Sequence, residues 1–205
     1  MIGRRAFLAL WSAVPASLLL SACTSQGPQP AAPTAPAALG VIAPTPACGD
    51  DPTLAQTEGP YFRRSSPERA SLIEPGSGGT RLVLVGTVLS TRCERVPRAL
   101  LDFWQADENG QYDNSGFRFR GHQFTDEQGR YSLETLVPGL YTGRTRHLHV
   151  KVQAPNGPVL TTQLYFPGET RNRSDGIFRQ ELELKIETEA DGGKLGVFDF
   201  VVNVA

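Results

Sequence analysis

The chain has 205 residues, of which 40% are hydrophobic and 20% charged, and a formal net charge of −1. That length and balance suit one domain with a hydrophobic core. They exclude a polyanion-binding surface: no basic stripe is present, so neither RNA nor DNA is an expected partner.

The first 23 residues, MIGRRAFLALWSAVPASLLLSAC, read as an address rather than as part of a fold. Arg4 and Arg5 precede an apolar run too short, and too closely followed by small residues, for a stable membrane span. A signal peptide over residues 1–22 is the expectation. Leu20-Ser21-Ala22-Cys23 resembles a bacterial lipobox, which would make Cys23 the lipidated first residue of the mature chain, anchored to a membrane on its periplasmic or cell-surface face. Cleavage without lipidation is the other reading of this segment. The opening GRRAFLAL resembles a twin-arginine export signal. Residues 1–22 carry two arginines and no acid, so the remainder has a charge of −3. Export leaves Cys48 and Cys93 as an even pair in an oxidising compartment, expected to form a disulfide; two unpaired thiols are the alternative. From Cys23 to residue 47 the chain is rich in Pro and Ala without apolar periodicity and reads as a flexible tether.

Residues 48–205 read as one all-β domain. Short segments rich in β-branched and aromatic residues recur at 81–90, 98–107, 119–126, 130–136, 146–153, 159–166, 180–187 and 195–204. Turn chemistry separates them, at Asn109-Gly110, Asp126 to Gly129, Pro138-Gly139 and Asn156-Gly157. No segment has a long helical period. The pattern predicts a two-sheet β-sandwich, with a barrel as the related alternative.

Two of the three histidines form His147-x-His149 in the segment GLYTGRTRHLHVKV. Residues two apart in a strand share a face, so both imidazoles project together and form a natural pair of nitrogen ligands. A strand that merely carries two histidines is the plainer reading. A zinc hydrolase of the H-E-x-x-H kind needs a helix and a glutamate that are missing here, and a cupin-like site needs a glutamate where the sequence runs VKVQAPNG. The remaining hard ligands are tyrosines: Tyr141 just upstream and Tyr112 after the turn that follows DFWQAD. Two phenolates with two imidazoles suit Fe(III), whose charge favours the ionised phenol.

QTEGPYF (56–62), ALLDFWQADENGQYD (99–113), TDEQGRYSLETLVPGLYTGRTRHLHVKV (125–152) and LTTQLYFPGE (160–169) together resemble the intradiol ring-cleavage dioxygenases, the protocatechuate 3,4-dioxygenase and catechol 1,2-dioxygenase types. The resemblance implies Fe(III) held by Tyr112, Tyr141, His147 and His149, with Tyr141 the ligand released when a catechol binds. It makes Arg144 the residue that steadies charge on the bound catecholate. Gln163 falls beside the metal, and Tyr61 and Phe62 wall the substrate pocket. The implied reaction is O2-dependent cleavage between the two hydroxyl-bearing carbons, giving a cis,cis-muconate. A lipobox and tether replace the helical N-terminal region of the catechol enzymes, so their dimer does not carry over and oligomeric state is left open.

Other residues have plainer readings. Tyr131 and Tyr165 fit the sheets, Phe103 and Trp104 fit the core, His122 fits a satisfied or surface position, and Arg146 alternates away from the histidine face. The rival to an enzyme is a β-sandwich binding module for an aromatic or glycan ligand at the cell surface.

Overall fold

The computed structural model describes residues 51–205. The predicted signal peptide, Cys23, the tether and Cys48 lie outside the described residues, so only Cys93 of the expected disulfide falls within them.

Among the described residues nine strands follow in order: β1 (Arg81–Ser90), β2 (Leu100–Trp104), β3 (Arg120–Phe124), β4 (Arg130–Leu136), β5 (His147–Gln153), β6 (Val159–Tyr165), β7 (Lys185–Thr188), β8 (Lys194–Val197) and β9 (Phe200–Val202). One sheet runs β4-β1-β8-β7, with β9 also paired to β1; the other runs β3-β2-β5-β6. Neighbours are antiparallel except β1–β8 and β1–β9, which are parallel. Alternation sends Leu84, Val88 and Leu133 of the first sheet, and Leu101, Phe103, Leu148, Val150 and Leu164 of the second, into one buried cluster. This is the predicted two-sheet sandwich.

Two expected strands are differently built. Residues 180–187 were expected to form a single strand from the alternation in QELELKIE. Gln180–Leu182 is instead a 3-10 turn, and β7 starts only at Lys185. The segment crosses between sheets: Leu184 N–H donates to Tyr165 O of β6 at 2.8 Å, whereas Lys185 onward pairs with β8. One continuous ladder cannot serve both, yet Leu182 and Leu184 are both buried, which explains the alternation. The expected strand at 195–204 is broken into β8 and β9 by Phe198 and Asp199. At that break a Cβ on Gly86 of β1 would lie 1.8 Å from Phe198 O, so the close approach requires glycine. Phe198 O accepts the Tyr131 hydroxyl at 2.7 Å, and Asp199 Oδ1 accepts Thr87 N–H at 2.6 Å.

Candidate functional site

The outer face of the β3-β2-β5-β6 sheet carries the chemistry. Its register lines up Arg120, Trp104, His149 and Gln163 in one row across four strands, all buried. His147 lies one step further along β5, past the end of β2 and opposite Tyr165. Two loops close over this end: residues 105–119, carrying Tyr112, and residues 137–146, carrying Tyr141 and Arg144.

A strap from Leu54 to Ser66 crosses the same face. Gln56 N–H donates to Thr161 O at 2.8 Å, Thr162 Oγ1 to Leu54 O at 2.7 Å and Gln163 Nε2 to Thr57 O at 2.8 Å. Glu58 pairs with Lys151 at 2.5 Å, and Ser66 Oγ donates to Asp102 Oδ1 at 2.8 Å. Gly59, at φ 69°, lets the strap turn where a Cβ would sit 3.5 Å from His149 Cε1. The strap delivers Tyr61 and Phe62, which with Trp104, Ala106, Tyr112 and Tyr141 form a second apolar cluster, separate from the core.

Three donor atoms converge. His147 Nε2 lies 3.1 Å from His149 Nε2 and 3.2 Å from the Tyr112 hydroxyl. His147 Nδ1 is 2.7 Å from Thr145 O, an acceptor only, so the proton sits on Nδ1 and Nε2 presents a lone pair. The His149 ring is positioned by stacking on Trp104, at 4.8 Å and 8°; its Nδ1 is buried without a hydrogen-bond partner among the described residues. Tyr61 stacks on Tyr112 at 4.3 Å and 12°, and shares a 2.7 Å hydrogen bond with the Tyr141 hydroxyl. Tyr141 stands edge-on to Tyr112 at 5.6 Å and 77°.

Burial governs the electrostatics. It lowers His147 to about 4, with the Arg144 charge adding to the shift and Thr145 O opposing it. It also holds His149 well below its ordinary range, helped by His147, Arg144 and Arg120. It raises the Tyr112 phenol, against the pull of Arg144 and Arg120. Both imidazoles are therefore neutral at pH 7 and free to act as ligands, and the phenol needs a cation beside it to ionise.

This donor set fits a metal ion. Two nitrogen ligands with bonds of about 2.1 Å at a right angle lie about 3.0 Å apart, close to the separation found here. No group of three or more His, Cys, Asp or Glu side chains able to hold a metal occurs among the described residues, so a metal here depends on the phenols. Phenolate oxygens are hard anionic donors, and imidazole suits several transition metals, iron among them.

The structure thus brings Tyr61, Tyr112, Tyr141, Arg144, His147, His149 and Gln163 to one place. Arg144 Nη2 donates to Gln163 Oε1 at 2.8 Å and its Nε to Asp175 Oδ2 at 2.8 Å. Phe62 faces Trp104 at 4.8 Å between ring centres and lies 4.5 Å beneath the Lys151 ammonium. One expectation changes. Trp104 is buried but belongs to the site, because alternation places it opposite Phe103. Tyr141 stands beside the converging donors, its hydroxyl taken up by Tyr61. Arg146 points elsewhere, to Glu169 at 2.6 Å, and His122 is satisfied by Ser66 Oγ at 3.1 Å.

Sequence reasoning missed Arg120 and Asp175. Arg120 is 1% exposed, with Nη1 donating to Tyr61 O at 2.5 Å and Nη2 to Asp113 O at 2.8 Å, so one guanidinium ties the strap to the Tyr112 loop. Its place in the His149 row was the signal that could have found it.

A dioxygenase family profile matches residues 57–203. The hydroxyquinol 1,2-dioxygenase of Nocardioides simplex is 30% identical over 152 residues, covering 62% of this chain and 52% of that enzyme. A solved dioxygenase domain, from a dioxygenase carbohydrate-binding protein fusion of the cellulolytic bacterium Streptomyces sp. SirexAA-E, is 54% identical with a TM-score of 0.73, covering 76% of this chain and all of that one. The 3-chlorocatechol 1,2-dioxygenase of Rhodococcus opacus 1CP is 28% identical with a TM-score of 0.70, covering 75% and 73% of the two chains. The chain spans about half the length of curated relatives such as the hydroxyquinol enzymes. With the profile covering nearly all of the described fold, and the sandwich and its strands shared with these structures, the chain belongs to the intradiol ring-cleavage dioxygenase family.

Proposed function

We propose that the protein is an Fe(III)-dependent intradiol dioxygenase that cleaves a catechol-type ring between its two hydroxyl-bearing carbons with O2, giving a cis,cis-muconate-type product. The observation that carries this reading is the convergence on His147 Nε2 of His149 Nε2 at 3.1 Å and the Tyr112 oxygen at 3.2 Å, with Tyr141 alongside. Tyr112, Tyr141, His147 and His149 would hold the metal. Iron(III) held there would be chelated by the two catechol oxygens and would make the ring reactive toward O2.

The side chains supply the rest. As a phenolate on the metal, the Tyr141 oxygen would accept a proton from the incoming catechol, and the Tyr61 hydroxyl 2.7 Å away would stabilise either protonation state. Arg144, held by Gln163 and Asp175, offsets negative charge on the substrate oxygens. Tyr61 and Phe62, with Phe62 backed by Trp104, exclude water and provide flat apolar walls for an aromatic ring. His147 keeps its Nε2 lone pair because Thr145 O holds the proton on Nδ1.

Iron-loaded protein is expected to be red-brown from phenolate-to-iron charge transfer and to consume O2 with catechol, protocatechuate or hydroxyquinol. Protein that stays colourless after loading overturns the reading. Binding of an aromatic without O2 uptake would favour the cell-surface binding module instead. The same proposal includes export as a lipoprotein anchored through Cys23 and a Cys48–Cys93 disulfide. Replacing Cys23 by Ala should release the protein from membranes, and replacing Arg4 and Arg5 by Lys should block twin-arginine export.

A further inference from the structure

We propose that Asp175 is a positioning residue of this site: its one carboxylate both aims the Arg144 guanidinium and fixes the residue whose carbonyl sets the tautomer of His147. The inference rests on the reading above for what Arg144 and His147 do, and on geometry alone for how they are held.

Asp175 follows the 3-10 turn Thr170–Arg173, far in sequence from the histidine pair. Its Oδ2 accepts Arg144 Nε at 2.8 Å and Thr145 N–H at 2.9 Å, and its Oδ1 accepts Ile177 N–H at 3.2 Å. The Asp175 side chain is 3% exposed, against 21% for Arg144, so the carboxylate is the anchored partner of the pair. The loop that carries it is itself pinned. Asn172 Nδ2 donates to Phe166 O and to Glu183 Oε1, both at 2.9 Å, and Thr145 Oγ1 donates to Asn172 Oδ1 at 2.5 Å.

Two consequences converge on the metal donors. Arg144 is gripped at two corners of its planar fork, Nε by Asp175 and Nη2 by Gln163. Its charge is felt at Tyr112, His147 and His149. A planar guanidinium fixed at two corners loses little freedom when it meets an anionic substrate oxygen. Thr145 is 0% exposed and held by its N–H, which locates its carbonyl for His147 Nδ1 at 2.7 Å. Burial works against an ionised Asp175, but the Thr145 N–H and the Arg144 guanidinium outweigh it and hold the carboxyl below its usual range. The ionised carboxylate is thus present at pH 7 to serve both contacts.

The test uses Asp175→Ala, Asp175→Asn, Arg144→Ala and the double variant Asp175→Ala/Arg144→Ala. In metal-free protein, exchange of the Thr145 amide should accelerate about tenfold or more in Asp175→Ala. It should stay slow in Asp175→Asn, whose amide oxygen still accepts it. In iron-loaded protein with catechol, kcat/KM should fall about 10- to 100-fold in Asp175→Ala. The double variant should lose less than the product of the two single losses, because without Arg144 only the Asp175 hold on Thr145 is left to remove. If Asp175→Ala does not fold, the isosteric Asp175→Asn carries the kinetic comparison. Unchanged Thr145 exchange in Asp175→Ala, or losses at Asp175 and Arg144 that simply multiply, would overturn the positioning role. A wild-type protein inactive on every catechol would instead sink the reading of the site, and Thr145 exchange would then decide the positioning claim alone.

Discussion

Acidifying the metal-free protein should destabilise it through His147 in a defined window. The free imidazole titrates near 6.5, while burial lowers His147 to about 4 in the fold. Between those values the unfolded chain binds a proton that the folded chain refuses. The stabilisation is therefore complete above about pH 6.5 and lost as pH falls through about 4. At about 1.4 kcal/mol per pH unit, the shift corresponds to about 3 kcal/mol. Other groups act nearby. Asp102 and Asp199, raised by burial, gain stability on protonation and oppose the loss. Asp175, Asp126 and Glu134, lowered in the fold, add losses only as pH drops below about 4.5. The assay must therefore be differential. Urea denaturation of metal-free wild type and His147→Gln at pH 7, 5.5 and 4 should show the wild type losing about 3 kcal/mol more than the variant. Parallel pH curves would refute the argument that His147 is buried as a neutral ligand. Loading with iron should extend the stable range downward, because a coordinated nitrogen takes a proton only when the metal leaves.

Three further outcomes follow from particular contacts. Gly86→Ala should cost about 3 kcal/mol or prevent folding, since its Cβ would meet Phe198 O at 1.8 Å; an unchanged thermal midpoint would contradict the packing described. Thr135→Val should cost about 1–3 kcal/mol in urea denaturation. It leaves buried Gln105 Oε1 without the Thr135 hydroxyl now 2.9 Å away, at the base of the Tyr112 loop; a neutral result would count against that network. Trp104, stacked at 4.8 Å on His149, should report metal loading directly. Iron titrated into a Trp11→Phe variant should quench its fluorescence with an end point near one ion per chain, and absence of quenching would place the metal elsewhere.

The fold was legible where one periodicity and one burial pattern coincide. β1 and β4 occupy the predicted residues because their alternation faces a single core and turns bound both ends. The crossing at 180–187 was not, because the chain there changes partners between sheets while its leucines stay buried in alternation. The split of β8 from β9 depends on Gly86, distant in sequence, and left no local mark. In the site, His147 and His149 announce themselves through spacing, and Tyr112 and Tyr141 through a resemblance spread over several motifs. Trp104 was readable from the same alternation that put Phe103 in the core. Asp175 was not: a lone aspartate in a loop acquires its role only when the fold brings it to Arg144 and Thr145.

The central claim is that Tyr112, Tyr141, His147 and His149 hold an iron that opens a catechol between its hydroxyl-bearing carbons. Reaction of the iron-loaded protein with catechol under 18O2, followed by mass analysis, tests it most directly. The account predicts a cis,cis-muconate carrying both labelled atoms in the wild type and none in His149→Ala. A semialdehyde from cleavage outside the two hydroxyls, an unlabelled product, or full activity in His149→Ala would contradict it.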